Sequence, residues 1–588
     1  MSANLLKEEP VTRATSKPHP IPDPQPLENY YEADQPLQLA LSRYLQADSA
    51  AWGWADQYLR EWGGICAQQV EPLCVTADRN IPALKQYDRR GERVDELIFH
   101  PAYHEIGKLA YGAGIAAMSN RPGFRGLTHP ASHLVKFAAM YEFTQSDGSV
   151  GCPLSMTDIM ARVLNKYASR ALIERYVPRL TSTDYETLYT GAMFMTEKVG
   201  GSDVGATTTV ARPTGEFWEL SGDKWFCSNV GADLILTLAR PEGGPAGTRG
   251  LGLFLVPRLL PDGTRNSYSI NRLKDKLGTR AMASGEVTLN NAKAYLIEPL
   301  ERGFVMMMEM VNGTRLHSGV AGAAALRRSV VEAVQHARER MAFGRPLAEQ
   351  PLMAEQLADL IVDSAAATSL MLATANALDK ADADPTNLEA RTLSRLLISL
   401  LKRYATSHGV KGAQTALEIR GGNGYIEDWP NARLLRDAYV QIIWEGGVNM
   451  VSFDVLRAME RENAWTVFRN TLEKELAEVD SAELQETVAQ LRQSLLALQA
   501  EVARIATVSR DAQEIASPQL AETMAALYSA AMLASEANFS LKRGDQEAAR
   551  NAQTARRYHE RFVLPALSAL SRCQPASSEA TSLIKGAI

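Results

Sequence analysis

Met195-Thr196-Glu197-Lys198-Val199-Gly200-Gly201-Ser202-Asp203-Val204 reads as a strand end running into a Gly-Gly-Ser-Asp turn. Such a turn offers backbone N–H groups and hydroxyls to a flat polar ligand. Downstream, Gly222-Asp223-Lys224-Trp225-Phe226-Cys227-Ser228-Asn229 reads as a turn into a strand that carries aromatics and a hydroxyl. Alone, the first is any tight loop and the second a half-buried strand. Around them, from about Tyr189 to Ile297, short β-type runs recur: Leu234-Ile235-Leu236, Leu253-Phe254-Leu255-Val256 and Glu286-Val287-Thr288-Leu289. Gly-containing turns such as Pro213-Thr214-Gly215 and Pro261-Asp262-Gly263 separate them, so a β domain occupies the middle of the chain.

On both sides the texture is helical. Apolar residues recur at three and four, as in Leu37, Leu41, Leu45 and Met156, Met160, Val163, with breaks expected at Pro72, Pro101, Pro122 and Pro130. Helical spacing returns at Phe304 and runs to about Leu456. Beyond it only Gly544 and Gly586 of the 40 glycines remain, so further long helices are expected. At the other end Pro18, Pro20, Pro22, Pro24 and Pro26 forbid helix and favour an extended tail without a core. The expected division is an extended Pro-rich segment 1–36, a helical domain 37–188, a β domain 189–298, a helical bundle 299–456 and an additional helical domain 457–588, an α+β chain.

With 588 residues, at roughly 150 per domain, the chain has room for about four domains. Its 46% hydrophobic and 22% charged residues, with a net charge of −6, exclude a polyelectrolyte, collagen-like or disordered chain. Cys66, Cys74, Cys152, Cys227 and Cys573 are too scattered for a disulfide framework and contain no CxxC pair, which fits reduced thiols in a cytoplasm. The N-terminus has no apolar h-region, and no uncharged apolar run approaches the roughly 18 residues of a membrane span. A soluble cytoplasmic protein without a membrane span is expected.

Two motifs carry little. Tyr111-Gly112-Ala113-Gly114-Ile115-Ala116-Ala117 matches GxGxxA, but a helical stretch rather than a strand precedes it, so close packing is the better reading. His100 and His104 are four apart, yet Pro101 lies between them and no third ligand is evident; they read as core or cap histidines, and no metal is expected.

The two opening motifs, in this order inside a β domain flanked by helical ones, resemble the T-E-x-x-x-G-S-D and G-x-K-x-W/F-I-T/S-N signatures of the acyl-CoA dehydrogenase family. The match continues. Lys276-Leu277-Gly278-Thr279-Arg280 with Ser284 is similar to K-x-G-x-R, and Arg340-Met341-Ala342-Phe343-Gly344 to R-x-x-F-G. Gly421-Gly422-Asn423-Gly424-Tyr425 is similar to G-G-x-G-Y/F, and Ile443-Trp444-Glu445-Gly446 to the Y-E-G loop that carries the catalytic base. Within the family the chain resembles the AidB-type branch, through Met193 to Lys198, Arg272 to Gly278, Gln350-Pro351-Leu352-Met353, the Trp444-Glu445-Gly446 loop and the helical extension.

The resemblance implies FAD-dependent α,β-dehydrogenation of an acyl-CoA, as in fatty acid metabolism, in a homotetramer that passes electrons to an electron-transfer flavoprotein. Glu445 would be the base, its charged form penalised by apolar Ile442, Ile443 and Trp444. Met195, Thr196 and Ser228 would meet the flavin, with Phe226 on its face. Ser202 would lie near the CoA arm. Arg340 and Phe343 would reach the FAD of a neighbouring subunit, and Gly421 and Gly422 would admit its phosphates, with Glu418, Gly447 and Asn449 also at the cofactor. Trp444 and Arg315 would meet substrate; the guanidinium of Arg315 suits a phosphate or carbonyl, and a helix-surface salt bridge is the competing reading. The chain departs from the family pattern at Glu418, Gly447 and Asn312, where a glutamine, a threonine and an aspartate are usual, and Thr314 stands where some relatives place the base. An alternative remains: an AidB-like flavoprotein with little turnover that binds nucleic acid or sequesters acyl-CoA. Between Asp454 and Ile588 there are 15 Lys/Arg and 18 Asp/Glu, which argues against a dedicated nucleic-acid domain, though Arg550, Arg556, Arg557 and Arg561 could form a stripe.

Overall fold

The computed structural model describes residues 25–573, 582–584 and 587. Most of the Pro-rich segment, residues 1–24, lies outside them. Helices α1 (Gln35–Leu45), α2 (Ser49–Ile65) and α3 (Glu71–Arg79) come first, then a hairpin of β1 (Ala83–Tyr87) and β2 (Arg93–Ile98). Next are α4 (Pro101–Gly112), α5 (His133–Thr144), α6 (Gly151–Tyr167) and α7 (Arg170–Leu180). Polar side chains start these helices as cap chemistry requires: Asp34, Asp48, Ser132 and Ser169 accept from first-turn N–H groups of α1, α2, α5 and α7.

Three expectations need correction. The hairpin interrupts a region read as helical. Pro72 breaks nothing: it sits in the first turn of α3, where no N–H is owed, and the chain reaches it from α2 through a single wide turn, Cys66–Val70. The segment 1–36 is not coreless to its end, since Tyr30, Tyr31 and Asp34 are buried. Tyr30 and Asp34 receive Arg328 and Arg327 respectively.

The β domain holds β3 (Gly191–Phe194), β4 (Val210–Thr214), β5 (Phe217–Ser228), β6 (Leu234–Pro241), β7 (Gly252–Pro257), β8 (Tyr268–Leu273) and β9 (Ser284–Ile297). The strands run in the order β3-β6-β4-β5-β9-β7, β8 adds to β9, and a β6–β7 pairing closes the sheet on itself. Strand β6 is parallel to β3 and β4; the other pairs are antiparallel. Closure buries both faces of β7 and most of β6, which is why their sequences are unbroken apolar runs rather than alternating ones.

Then come α8 (Gly303–Glu339), a two-residue-per-strand hairpin of β10 (Met341–Ala342) and β11 (Arg345–Pro346), and α9 (Pro351–Ala383), α10 (Leu388–Arg420), α11 (Asn431–Gln441) and α12 (Val448–Glu462). The last region holds α13 (Ala464–Ala477), α14 (Gln485–Ala506), α15 (Arg510–Arg543), α16 (Ala548–Tyr558) and α17 (Leu564–Ser571). By length and composition α9 could cross a membrane, but it is the inner helix of the bundle and mostly buried. The buried side chains form two main cores. One joins the sheet to α6, α7 and the start of α8; the other runs without a break from α1 through α8, α9 and α10 into α15. Helices α13 to α17 therefore share the core of the bundle, with Ala-rich α15 buried over most of its length.

Candidate active site

Glu445 lies in the turn between α11 and α12, at φ 57, with Gly446 after it at φ 91. A residue with a Cβ is disfavoured there, so the surroundings must hold it. They do so from three helices. From α8, Arg315 Nε donates to Glu445 O at 2.9 Å, and its Nη1 reaches Asp454 on α12 at 2.9 Å. From α10, buried Lys402 donates to Gln441 O, while Arg395 (2.5 Å) and Ser399 (3.0 Å) also meet Asp454. Trp444 Nε1 donates to Gln441 Oε1 at 2.9 Å and to Ser318 Oγ at 3.1 Å.

Thr314 Oγ1 stands 2.6 Å from Glu445 Oε2. Burial pushes the Glu445 carboxyl above the ordinary carboxylate range, opposed by this hydroxyl and by the charges of Arg315 and Lys402. Burial likewise draws the Lys402 ammonium down to about 7, with Glu445 working against it. In front of the carboxyl is a small cavity lined by Met140, Cys152, Thr314, His317 and Trp444 among others. Burial raises the Cys152 thiol to about 12, and the nearby Glu445 adds to that, so the cavity presents a neutral thiol beside the carboxyl. Ile443, expected to help desolvate Glu445, is 66% exposed; Thr314, Cys152 and Trp444 enclose the site instead.

The two opening motifs meet on the sheet. Trp225 N donates to Thr196 O at 2.9 Å, and Lys224 Nζ donates to Glu197 Oε1 at 2.8 Å. Glu197 also accepts from the N–H and hydroxyl groups of Thr208 and Thr209. Burial opposes its charge, yet Lys224 and these hydroxyls hold it at about 2. The β5–β9 register slips between Lys224 and Cys227, and this bulge leaves Phe226 58% exposed beside half-buried Thr196 and Ser228. Ser228 faces Ser284 (Oγ to Oγ 3.5 Å), which Lys276 reaches at 3.3 Å, and it also meets the Cys152 thiol. Through Cys152 the sheet face and Glu445 border one site.

Other expected residues fall elsewhere. Ser202 is exposed on its turn, Met195 is half-buried behind Thr196, and Gly447 and Asn449 begin α12. Arg315 is buried and bonded to Glu445 O and Asp454 within this chain, so it is not the exposed helix-surface charge of the competing reading. Arg340, Phe343, Glu418, Gly421 and Gly422 gather where α8 and α10 end, tied by Arg420 to Glu332 at 2.6 Å. At 1.5 Å per residue, that end of α8 is about 36 Å from Arg315. One chain does not bring these groups to Glu445. Phe343, at φ 52 on the β10–β11 tip, is 96% exposed, and a Cβ on Gly421 or Gly422 would meet nothing within 4 Å.

Of the weaker motifs, Gly114 turns at φ 78 where a Cβ would lie 2.1 Å from the Phe124 ring, so its glycine serves close packing. His100 caps α4, and His104 meets the Tyr185 hydroxyl at 3.2 Å. Arg557 and Arg561 are paired to Asp359 on α9, at 2.7 and 2.6 Å, which removes half of the basic stripe. Thr314 was expected only as the residue standing where some relatives place the base, and Ser318, Lys402, Gln441 and Asp454 had not been expected at the site. The three-and-four spacing of Thr314, His317, Ser318 and Ala321, one face of a helix, was the available signal for the wall of the cavity.

Sequence models match the "Adaptive response protein AidB N-terminal domain" at residues 22–187, the "Acyl-CoA dehydrogenase, middle domain" at 192–292 and the "Acyl-CoA dehydrogenase, C-terminal domain" at 301–460. Acyl-CoA dehydrogenase family member 11 of Caenorhabditis elegans is 33% identical, over 87% of this chain and 85% of that protein. AidB of Escherichia coli (strain K12) is 31% identical, over 73% and 80%. The chain belongs to the acyl-CoA dehydrogenase family. The crystal structure of C. elegans ACDH-11 in complex with C11-CoA overlays with a TM-score of 0.86 at 31% identity, covering 94% of each chain. As an acyl-CoA dehydrogenase-family enzyme of the AidB type, it has FAD as its family cofactor. Its residues fit that group: an exposed aromatic on a bulge near two hydroxyls, with the Lys274 ammonium 4.8 Å from its ring centroid, suits a flat polar ring, and the open glycine turn suits phosphates.

Proposed function

We propose that this chain desaturates an acyl-CoA thioester between Cα and Cβ, with Glu445 taking the α proton and FAD held on the Phe226 face. The observation that carries this reading is a carboxyl raised by burial, at a cavity whose other border runs through Cys152 to Ser228. When bound, FAD supplies a hydride acceptor for the β hydrogen. The chain does the rest. Arg315 and Lys402 hold the loop so that Glu445 faces the cavity, Trp444 closes one wall by its bonds to Ser318 and Gln441, and Thr196 and Ser228 would hold the ring through their hydroxyls.

The group at the ends of α8 and α10 lies too far along the bundle to complete the same site, which supports a homo-oligomer, of tetrameric order, in which Arg340, Phe343 and the Gly421-Gly422 turn serve a neighbour's FAD. Transfer of electrons to an electron-transfer flavoprotein in the cytoplasm completes the reading. A low-turnover flavoprotein that binds nucleic acid has less behind it, because Arg557 and Arg561 are consumed by Asp359.

The test is the visible spectrum of the purified protein during anaerobic addition of straight, branched and aromatic acyl-CoAs. The wild type is expected to bleach with one class, and Glu445→Gln to keep its flavin and fold without bleaching. A flavin that no acyl-CoA bleaches would move the reading to binding; bleaching by Glu445→Gln would remove Glu445 as the base.

A further inference from the structure

Thr314 is 3% exposed, and its Oγ1 lies 2.6 Å from Glu445 Oε2, 3.0 Å from Met310 O and 3.1 Å from Val311 O. A hydroxyl has one proton and two lone pairs, and the two helix carbonyls can only accept. When Glu445 is ionised, the short contact requires Thr314 to donate to Oε2, a charge-assisted bond. When the acid proton is on Oε2, the carboxyl donates to Oγ1 and the Thr314 proton turns to Met310 O or Val311 O. When it is on Oε1, Oε2 is a carbonyl oxygen and goes on accepting from Thr314. No heavy atom has to move between the three states. Among the described residues the carboxyl of Glu445 is bonded through Oε2 alone, and no hydrogen bond is made by Oε1.

We propose that Thr314 is the positioning residue of the base, anchoring Oε2 in every protonation state and so presenting Oε1 to the α proton of the acyl thioester. This rests on Glu445 being the base. In the transfer the Cα–H bond breaks, its proton forms the O–H bond on Oε1, and its electron pair stays on the substrate to form the double bond as the β hydrogen leaves with its own pair, for which bound FAD would be the hydride acceptor. Arg315 and Lys402 cannot substitute for the anchor, because Arg315 bonds Glu445 O and Asp454 and Lys402 bonds Gln441 O, which leaves the carboxyl free to turn.

Thr314→Val keeps the β-branched shape and removes the hydroxyl; Thr314→Ser restores it. Anaerobic stopped-flow bleaching with undecanoyl-CoA across pH is expected to slow roughly tenfold or more in Thr314→Val, the cost of one hydrogen bond to a charged group. The half-saturating undecanoyl-CoA concentration is expected to hold, the acid limb of the profile to move to higher pH, and Thr314→Ser to recover wild-type behaviour. Infrared pH titration provides a readout free of turnover: the protonated-carboxyl C=O band that Glu445→Gln removes should titrate at higher pH in Thr314→Val than in wild type. Thr314→Val matching wild type in the infrared titration overturns the anchor. Bleaching retained by Glu445→Gln overturns the base itself, a separate failure seen in a separate variant.

Discussion

At the scale of the residue, Glu445 combines two costs, a left-handed backbone and a carboxyl whose charge is penalised by burial. Replacing it with glycine removes both. Glu445→Gly is expected to unfold at higher temperature than Glu445→Gln, by about 1 kcal/mol of backbone strain relieved, while neither variant dehydrogenates. Arg315 is the opposite case. Arg315→Gln strips the loop of its bond to Glu445 O and weakens the pairing of buried Asp454, so a loss of about 3 kcal/mol in thermal or urea unfolding is expected, together with loss of substrate bleaching. Retained stability would show that Arg395 and Ser399 suffice for Asp454. Glu445 was legible in the chain through its Trp-Glu-Gly setting, whereas the function of Arg315 was not. A guanidinium at a site reads equally well as a ligand contact and as a brace until its partners are seen.

At the scale of the element, the strands that carry the proposed flavin face are joined by Glu197 and Lys224, two residues of the signatures that are buried and paired with each other. They join the strand end of the first motif to the bulged strand of the second, with Thr208 and Thr209 closing the bonds. Lys224→Met leaves Glu197 without its cation, and a loss of roughly 3 kcal/mol or more is expected, with FAD released more easily because the Phe226 bulge loosens. The double variant Lys224→Met, Glu197→Gln should recover part of the stability. A double variant no better than the single would mean the packing of Lys224, not its charge, holds the strands. The strands themselves were readable from their apolar runs. The slip between Lys224 and Cys227 was not, because a bulge depends on how two strands count against each other.

At the scale of the molecule, the last helices are docked by a buried polar cluster. His408 on α10 meets Asp363 on α9 at 2.7 Å and Glu522 on α15 at 2.6 Å. Arg403 pairs with Glu522 at 3.1 Å, and the Tyr404 hydroxyl meets those of Tyr558 and the Asp363 carboxylate. Burial opposes charge on His408, but the two carboxylates carry it up to about 9. A histidine raised above its unfolded value of about 6.5 stabilises the fold fully below that pH and less as pH rises toward 9. Unfolding free energy is expected to fall by about 3 kcal/mol over that window, and His408→Gln to flatten the slope. An unchanged slope in the variant would assign the pH dependence elsewhere. Since one core runs from the bundle into α15, deleting residues 457–588 is expected to yield no folded bundle by circular dichroism, where independent domains would leave one intact.

What the chain determined by itself is what local pattern and short motifs encode: the helical, β, helical order, the family, and the loop on which the proposed base stands. Apolar periodicity follows from which face of an element is buried, and motif residues close in sequence need no knowledge of what packs on them. Only the tertiary structure decided the rest. Thr314 meets Glu445 across 131 positions, Asp363 meets His408 across 45, and the helices expected to form a separate unit share a core with the bundle. Hydrogen bonds and burial act over a few ångströms in space, so residues far apart in the chain carry no mark of each other until the fold brings them together.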